Sequence, residues 1–404
     1  MPVNLVAPQS LAAVRGLRVG AVSLGVRRQL RDDLVIFELA PGATTAATFT
    51  RNAFCAAPVH VSREHHAAAA TRYLVINAGN ANAGTGAAGR SAARRVCELV
   101  AGAGGCAANE VLPFSTGVIG PVLDTAPFES AVPIAIAKLS ADAWLPASKA
   151  ILTTDIVAKG ASCTYKINGR EHVVTGIAKG SGMICPNMAT MLAFVATDAR
   201  VAPQLLQQLL SEAIDESFNC ITVDGDTSTN DSCVLVATGA GESICAAAQS
   251  DVEALREALV KVCTFLAHAV VRDGEGASKF ITVEVSGGRD REECREVAYT
   301  VAHSPLVKTA MFASDANWGR ILAAVGRSPV AELDVDLITM YLGDVMIVER
   351  GGPAVGYREE AGAEVMAREE IKVRIELGRG SAEARVWTCD FSHDYVSINA
   401  DYRS

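Results

Sequence analysis

The chain has 404 residues, half of them apolar, only 5% aromatic, with a formal net charge of −9. This length suits two domains or one large fold with a sizeable core, and a composition rich in Ala, Val and Gly excludes a disordered or fibrous chain. The acidic balance, with no Lys/Arg cluster to offset it, argues against nucleic-acid binding.

In chain order, Leu34 to Leu39 and Tyr73 to Asn77 read as strands, short apolar runs between small-residue turns. Gly89 to Ala101 reads as a helix, with Ala92, Val96, Leu99 and Val100 on one face and Arg94, Arg95 and Glu98 on the other. The Ala/Gly tract Ala101 to Cys106 reads as a turn. It lacks the lysine and Ser/Thr of a phosphate loop. Met191 to Ala196 is an apolar run suited to a core strand. Pro203 to Phe218 is an amphipathic helix, and a second helix starts at Ser250, with Glu253 completing a capping box, and runs to about Val271. Strand-like runs follow at Phe280 to Val285, Val345 to Val348, Ile371 to Leu377 and Ala384 to Cys389. The mixture is α/β or α+β with much antiparallel pairing.

The eleven cysteines and seven histidines are scattered, with no C-x-x-C pair and no ligand spacing. Small buried thiols in a reducing cytosol and no metal site are expected. No charged n-region precedes an apolar block, and no uninterrupted apolar run reaches about 18 residues, so neither a signal peptide nor a membrane span is expected. Asp224 to Asp231 looks like a calcium loop but fails at position six, Thr229, and position twelve, Leu235. It reads instead as a hydrogen-bonded turn.

One stretch carries chemistry: Lys179-Gly-Ser-Gly-Met-Ile-Cys-Pro-Asn-Met-Ala-Thr190-Met-Leu-Ala-Phe. Threonine is a poor nucleophile without an adjacent base. No His or carboxylate lies between Lys179 and Thr197. A threonine released as a chain start carries its own base, an α-amino group with a pKa of about 8. Ala189-Thr190 is therefore a candidate self-cleavage junction, although on spacing alone a loop followed by a core strand is the favoured reading. Other residues leave similar pairs of readings. Lys179 could pair with a carboxylate or be a solvated loop lysine. Thr153 or Thr154 could donate to the same group or sit at a strand edge. Glu275, in a Gly-flanked turn after a helix, could bind an ammonium or face solvent. Ser115-Thr116-Gly117-Val-Ile-Gly could hold an oxyanion or be an ordinary turn capped by Thr116.

The stretch resembles the signature of the ornithine acetyltransferase family, the glutamate N-acetyltransferases of arginine biosynthesis: Lys-Gly-x-Gly-Met-x-x-Pro-x-x-Ala-Thr-Met-Leu, with every fixed position present. Asn77 to Asn82, Ser115 to Gly120, Thr153 to Asp155, Thr222 to Asp231, Asp273 to Gly276 and Ser314 to Arg320 resemble the family's other blocks, in the family's order. The resemblance implies a layered α/β sandwich of the N-terminal-nucleophile type, self-cleaved into interlocked chains 1–189 and 190–404 and assembled as a heterotetramer of two of each, in the cytoplasm. It implies Thr190 as nucleophile, the Thr116 hydroxyl and the Gly117 N–H as the oxyanion hole, and Thr153, Lys179, Thr190, Glu275, Asn399 and Ser404 as substrate contacts. The family often ends in threonine where this chain has Ser404. The reaction implied is ping-pong transfer of acetyl from N2-acetylornithine to glutamate through acetyl-threonine, with no metal and no cofactor; some members also use acetyl-CoA. The alternatives are an aminopeptidase or amidase on a related fold, and a non-catalytic amino-acid-binding protein.

Overall fold

Leu34-Val-Ile-Phe-Glu-Leu39 is β-branched and aromatic enough to favour extended backbone, and five of its six residues are buried. It anchors one of two units in a computed structural model that describes residues 2–25, 31–185 and 191–401. The larger unit comprises residues 6–219 and 227–270, and the smaller comprises residues 1–5, 220–226 and 271–404.

The larger unit holds β1 (Leu17–Val22), β2 (Leu34–Leu39), β3 (Thr44–Phe49), α1 (Ala57–Ala68), β4 (Tyr73–Asn80), α2 (Gly86–Gly104) and β5 (Val111–Val118). It continues with α3 (Ala126–Ala137), α4 (Trp144–Ala150), β6 (Lys159–Ile167), β7 (Arg170–Lys179) and β8 (Leu192–Thr197), then α5 (Pro203–Asp215), β9 (Ser232–Ala237) and α6 (Gln249–Arg272). Four strands pair in the order β1-β2-β4-β5 and five in the order β3-β9-β8-β7-β6. The two sheets share a core in which Phe37 and Phe114 meet Phe194, ring centroids 5.5 and 5.1 Å apart. The other face of the four-stranded sheet buries Val96 and Val100 of α2 and Val132 of α3. On the five-stranded sheet, Leu266 and Val262 of α6 crowd the space where a Gly176 Cβ would stand. Helix, sheet, sheet and helix thus stack as a layered sandwich.

The smaller unit carries β10 (Phe280–Gly288), α7 (Arg291–Ala302), α8 (Pro305–Phe312), α9 (Trp318–Gly326), β11 (Thr339–Leu342) and β12 (Val345–Glu349). It ends with β13 (Gly352–Pro353), α10 (Glu359–Met366), β14 (Glu370–Glu376), β15 (Ala382–Cys389) and α11 (His393–Ala400). Its strands pair in the order β13-β12-β11-β14-β10-β15, over a core of Val283, Val297, Val301, Met340 and Val373.

Three sequence expectations shift. The Ala/Gly tract is not a turn at Ala101: α2 continues to Gly104 and ends at a left-handed Gly105. Burial of Val100 and Ala101 overrides the weak helix propensity of the tract, and Gly104 is needed because a Cβ there would meet the Tyr73 ring at 2.6 Å. α6 begins at Gln249, which puts Ser250 inside the helix rather than at its cap, and Glu253 pairs with Arg256 at 2.6 Å. α5 stops at Asp215, ahead of a short 3-10 turn over Phe218–Cys220.

Candidate active site

The ends of the parallel strands β4 and β5 form the centre of the site. Gly117 has φ +132°, and a Cβ on it would lie 2.3 Å from the Gly79 carbonyl carbon. Only glycine fits that approach, so the backbone, not a side chain, shapes this strand end, and Thr116 and Gly117 lie within β5 rather than in the ordinary turn the sequence also allowed. Beside it the buried Thr116 hydroxyl accepts a hydrogen bond from Lys179 Nζ at 3.1 Å. An ammonium can only donate, so the hydroxyl's own proton stays available to another acceptor.

Lys179 ends β7 and is 9% exposed, which removes the solvated-loop reading. Its charge belongs to a buried cluster. Asp155 is fully sequestered and accepts from Lys159 Nζ at 2.7 Å and from the Gly180 N–H at 2.8 Å through Oδ1, and from the Thr153 N–H at 3.1 Å through Oδ2. Burial works to raise the Asp155 pKa, but the Lys159 and Lys179 ammoniums and the bonds from Lys159 and Gly180 outweigh it and hold the carboxyl well below the usual carboxylate range. Asp231 lies in the same electrostatic neighbourhood with the opposite outcome. Burial pushes its carboxyl far up, against the bonds from Ser228 and the charge of Lys179, and Oδ2 is buried without a hydrogen-bond partner among the described residues. Both lysine charges thus act on Asp155, whereas only that of Lys179 acts on Asp231, where burial prevails.

Thr153 lies in a bend between α4 and β6, not at a strand edge, and its carbonyl accepts from Arg31 at 3.4 Å. The second half of the Thr222-to-Asp231 block is a hydrogen-bonded turn, as expected. Thr227 Oγ1 donates to the Cys185 carbonyl at 3.1 Å, and Asn230 is buried against the segment after β4 and against β5 itself.

In the smaller unit, Asn399 of α11 donates to Glu275 Oε2 at 2.9 Å across a separation of 124 residues. Glu275 is 6% exposed, so the solvent-facing reading falls. Gly276, at φ +68°, leaves no room for a Cβ, which would stand 2.4 Å from the Tyr395 nitrogen. The Ser392 hydroxyl donates to the Gly276 carbonyl at 2.6 Å and locks α11 onto this turn.

The profile of the ArgJ family matches residues 18–404. The chain is 54% identical over 403 residues, 99% of each chain, to the arginine biosynthesis bifunctional protein ArgJ of Psychrobacter arcticus. It is 51% identical to the protein of that name from Pseudomonas syringae pv. tomato, over all of both chains. This chain belongs to the ArgJ family. The crystal structure of the Bacillus halodurans ArgJ protein is 40% identical, with a TM-score of 0.50, and covers 52% of this chain and 99% of that one. Family membership makes the chain an acyltransferase of arginine biosynthesis with the layered α/β fold, as the sequence reading expected.

Of the residues named from the ArgJ-type signature, the larger unit brings together Thr116, Gly117 and Lys179, with Thr153 tied to them through Asp155. The smaller unit pairs Glu275 with Asn399. Ala189, Thr190 and Ser404 lie outside the described residues. Sequence reasoning assigned no role to Asp155, Lys159, Asn230 or Asp231. The one available signal was Lys159, a lone charge within Ile156-Val-Ala-Lys-Gly-Ala161, where an apolar run hints at a buried ion pair.

Proposed function

We propose that this ArgJ-family chain is a glutamate N-acetyltransferase that cleaves itself between Ala189 and Thr190 and uses the released Thr190 as its nucleophile. The observation that carries the reading is the Lys179–Thr116–Gly117 constellation, a buried cation-polarised hydroxyl beside a glycine N–H at the end of β5. Donors fixed in a low-dielectric site favour the negative charge that develops on an acetyl oxygen during attack. The Thr190 amine takes the hydroxyl proton and Oγ bonds to the acetyl carbon. The tetrahedral oxyanion sits between Thr116 Oγ1 and the Gly117 N–H. The C–N bond then breaks, ornithine leaves with the proton, and acetyl-threonine remains for glutamate to deacylate.

The Lys179 ammonium suits the α-carboxylate of each substrate, supported by its buried position and by an Asp155 that bonds both neighbouring backbone segments. Glu275, held by Asn399, suits the δ-ammonium of ornithine, and Ser404 supplies a further hydroxyl. The cleaved fragments stay associated because Leu192 to Thr197 pairs with β7 on one side and β9 on the other. Burial of Leu192, Phe194 and Val195 adds roughly 1.5–3 kcal/mol each. The bifunctional name of the relatives supports acetyl-CoA as a second donor, a biosynthetic role suits the cytoplasm, and the family resemblance implies a heterotetramer of two fragments of each kind.

Initial-rate kinetics with N2-acetylornithine and glutamate test the reading. Parallel lines in double-reciprocal plots are expected, with glutamate strongly preferred over water as acceptor. Intersecting lines would mean direct transfer in a ternary complex, and release of free acetate matching ornithine release would make the enzyme an amidase.

A further inference from the structure

The proposed oxyanion pair lies at the ends of two strands whose pairing slips at Asn80, and such an irregularity does not fix its own geometry. Asn230, on the turn that leads into β9, spans the two ends. Its Nδ2 donates to the Ala81 carbonyl at 2.6 Å and to the Ser115 carbonyl at 3.0 Å. Both amide hydrogens are therefore spent on backbone oxygens, one in the segment after β4 and one immediately before Thr116. The orientation of the amide is determined, because exchanging oxygen and nitrogen would set Oδ1 against two carbonyls. Thr229 adds a further restraint, since its hydroxyl donates to Asn230 Oδ1 at 2.6 Å. Asn230 and Thr229 are both buried, so water does not substitute for these bonds. Within the paired ends, Ser115 Oγ donates to Asn77 Oδ1 at 2.6 Å and Asn77 Nδ2 donates to the Asn80 carbonyl at 2.9 Å, while beyond them Asn82 Nδ2 ties the segment to the Gly89 carbonyl of α2 at 2.9 Å.

We propose that Asn230 is a positioning residue for acetyl transfer, whose carboxamide clamps the Ala81 and Ser115 peptides and thereby sets the distance and angle of the Thr116 hydroxyl and the Gly117 N–H. The inference rests on the oxyanion role proposed above for that pair. The clamp touches no substrate. It acts through donor placement, where an error of about 1 Å costs on the order of 10²-fold in rate. The loss therefore falls on kcat and leaves KM nearly alone, because an oxyanion donor works mainly in the transition state.

The test is a double-mutant cycle on the full chain. Asn230→Asp, Thr116→Ala and the double variant are compared by kcat per active site, titrated from the acetyl-enzyme formed with N2-acetylornithine, and by KM for both substrates. Asn230→Asp keeps the shape and loses the two donated bonds, so kcat is expected to fall about 10–100-fold, with both KM values within twofold. In the Thr116→Ala background the same change is expected to cost only a few-fold, because one of the two donors it places is already gone. Lowering the pH should raise the Asn230→Asp rate relative to the parent, since a protonated carboxyl restores one donor. Should Asn230→Asp not fold, Thr229→Val removes only the bond that orients the amide. It is then expected to lower kcat about 3–10-fold with a melting temperature lower by only a few degrees, since one buried acceptor loses its donor. Full additivity of the two losses, or a raised KM with parental kcat, overturns the proposal while the oxyanion reading stands. Parental kcat in Thr116→Ala overturns the oxyanion reading and the positioning role with it.

Discussion

Asp155→Asn is the sharpest probe of the charge cluster under the site. The Asp155 and Lys159 side chains are both wholly inaccessible, 2.7 Å apart, and Asp155 also sets the Lys179–Gly180 and Thr153 backbones. Asparagine keeps one acceptor oxygen but presents an NH2 where Asp155 offered a second, and it leaves two buried ammoniums without their counter-charge. Breaking one side of such a pair costs about 3–5 kcal/mol, against a typical total stability of roughly 5–15 kcal/mol. Trp144 reports on this unit because it is fully buried there against Phe37, ring centroids 5.4 Å apart. Urea unfolding followed by its fluorescence, in a Trp318→Phe, Trp387→Phe background, should show a midpoint lower by about 1 M or more. The folded-state pKa of Asp155 is depressed, so its stabilisation is complete above the unfolded carboxyl value of about 3.9 and disappears as pH falls through the lower folded value. The gap between parent and variant should therefore be flat above about pH 5 and close on further acidification. Removing both partners in Asp155→Asn, Lys159→Met should cost less than the single change. A single variant within about 1 kcal/mol of the parent would refute the charge-compensation argument.

Two further outcomes are expected. Gly117→Ala forces a Cβ into the Gly79 backbone and a strained φ, worth about 1–3 kcal/mol before the clash, so turnover and self-processing should both fall at least about 10²-fold; near-parental turnover would show that the site does not need this close approach. Burial first, then Lys308 and Arg327, push His303 down to about 4, so it favours the neutral form and its stabilisation, full above about pH 6.5, is lost between there and about pH 4. His303→Gln should flatten the pH dependence of unfolding across that window, and an unchanged slope would contradict the assignment.

Much of the scaffold was legible because the large side chains announce it. Leu34 to Leu39 and Tyr73 to Asn77 became strands because their apolar faces have sheet and helix to pack against. Met191 to Ala196 became all-buried β8, shifted by one residue. The small residues misled. Ala101 to Gly104 stayed helical, since whether an Ala/Gly tract is helix or turn depends on what covers it, and Tyr73 covers this one. The capping box at Ser250 failed because the helix started one residue earlier. In the site, Thr116, Gly117 and Lys179 were named from the family signature, whereas the supports Asp155, Lys159 and Asn230 were not. Their roles come from burial and from partners as far as 149 residues away, which spacing along the chain does not encode.

The central claim is covalent catalysis by a self-generated chain start, and intact-mass and peptide mass spectrometry test it most directly. The purified protein should contain a fragment beginning Thr190-Met-Leu-Ala. That fragment should gain one acetyl group on its first residue when N2-acetylornithine is added alone, and lose it when glutamate follows. Thr190→Ala should remain a single chain and gain nothing. A parent chain that stays intact yet turns over, or a Thr190→Ala chain that is cleaved and acetylated, would contradict the account.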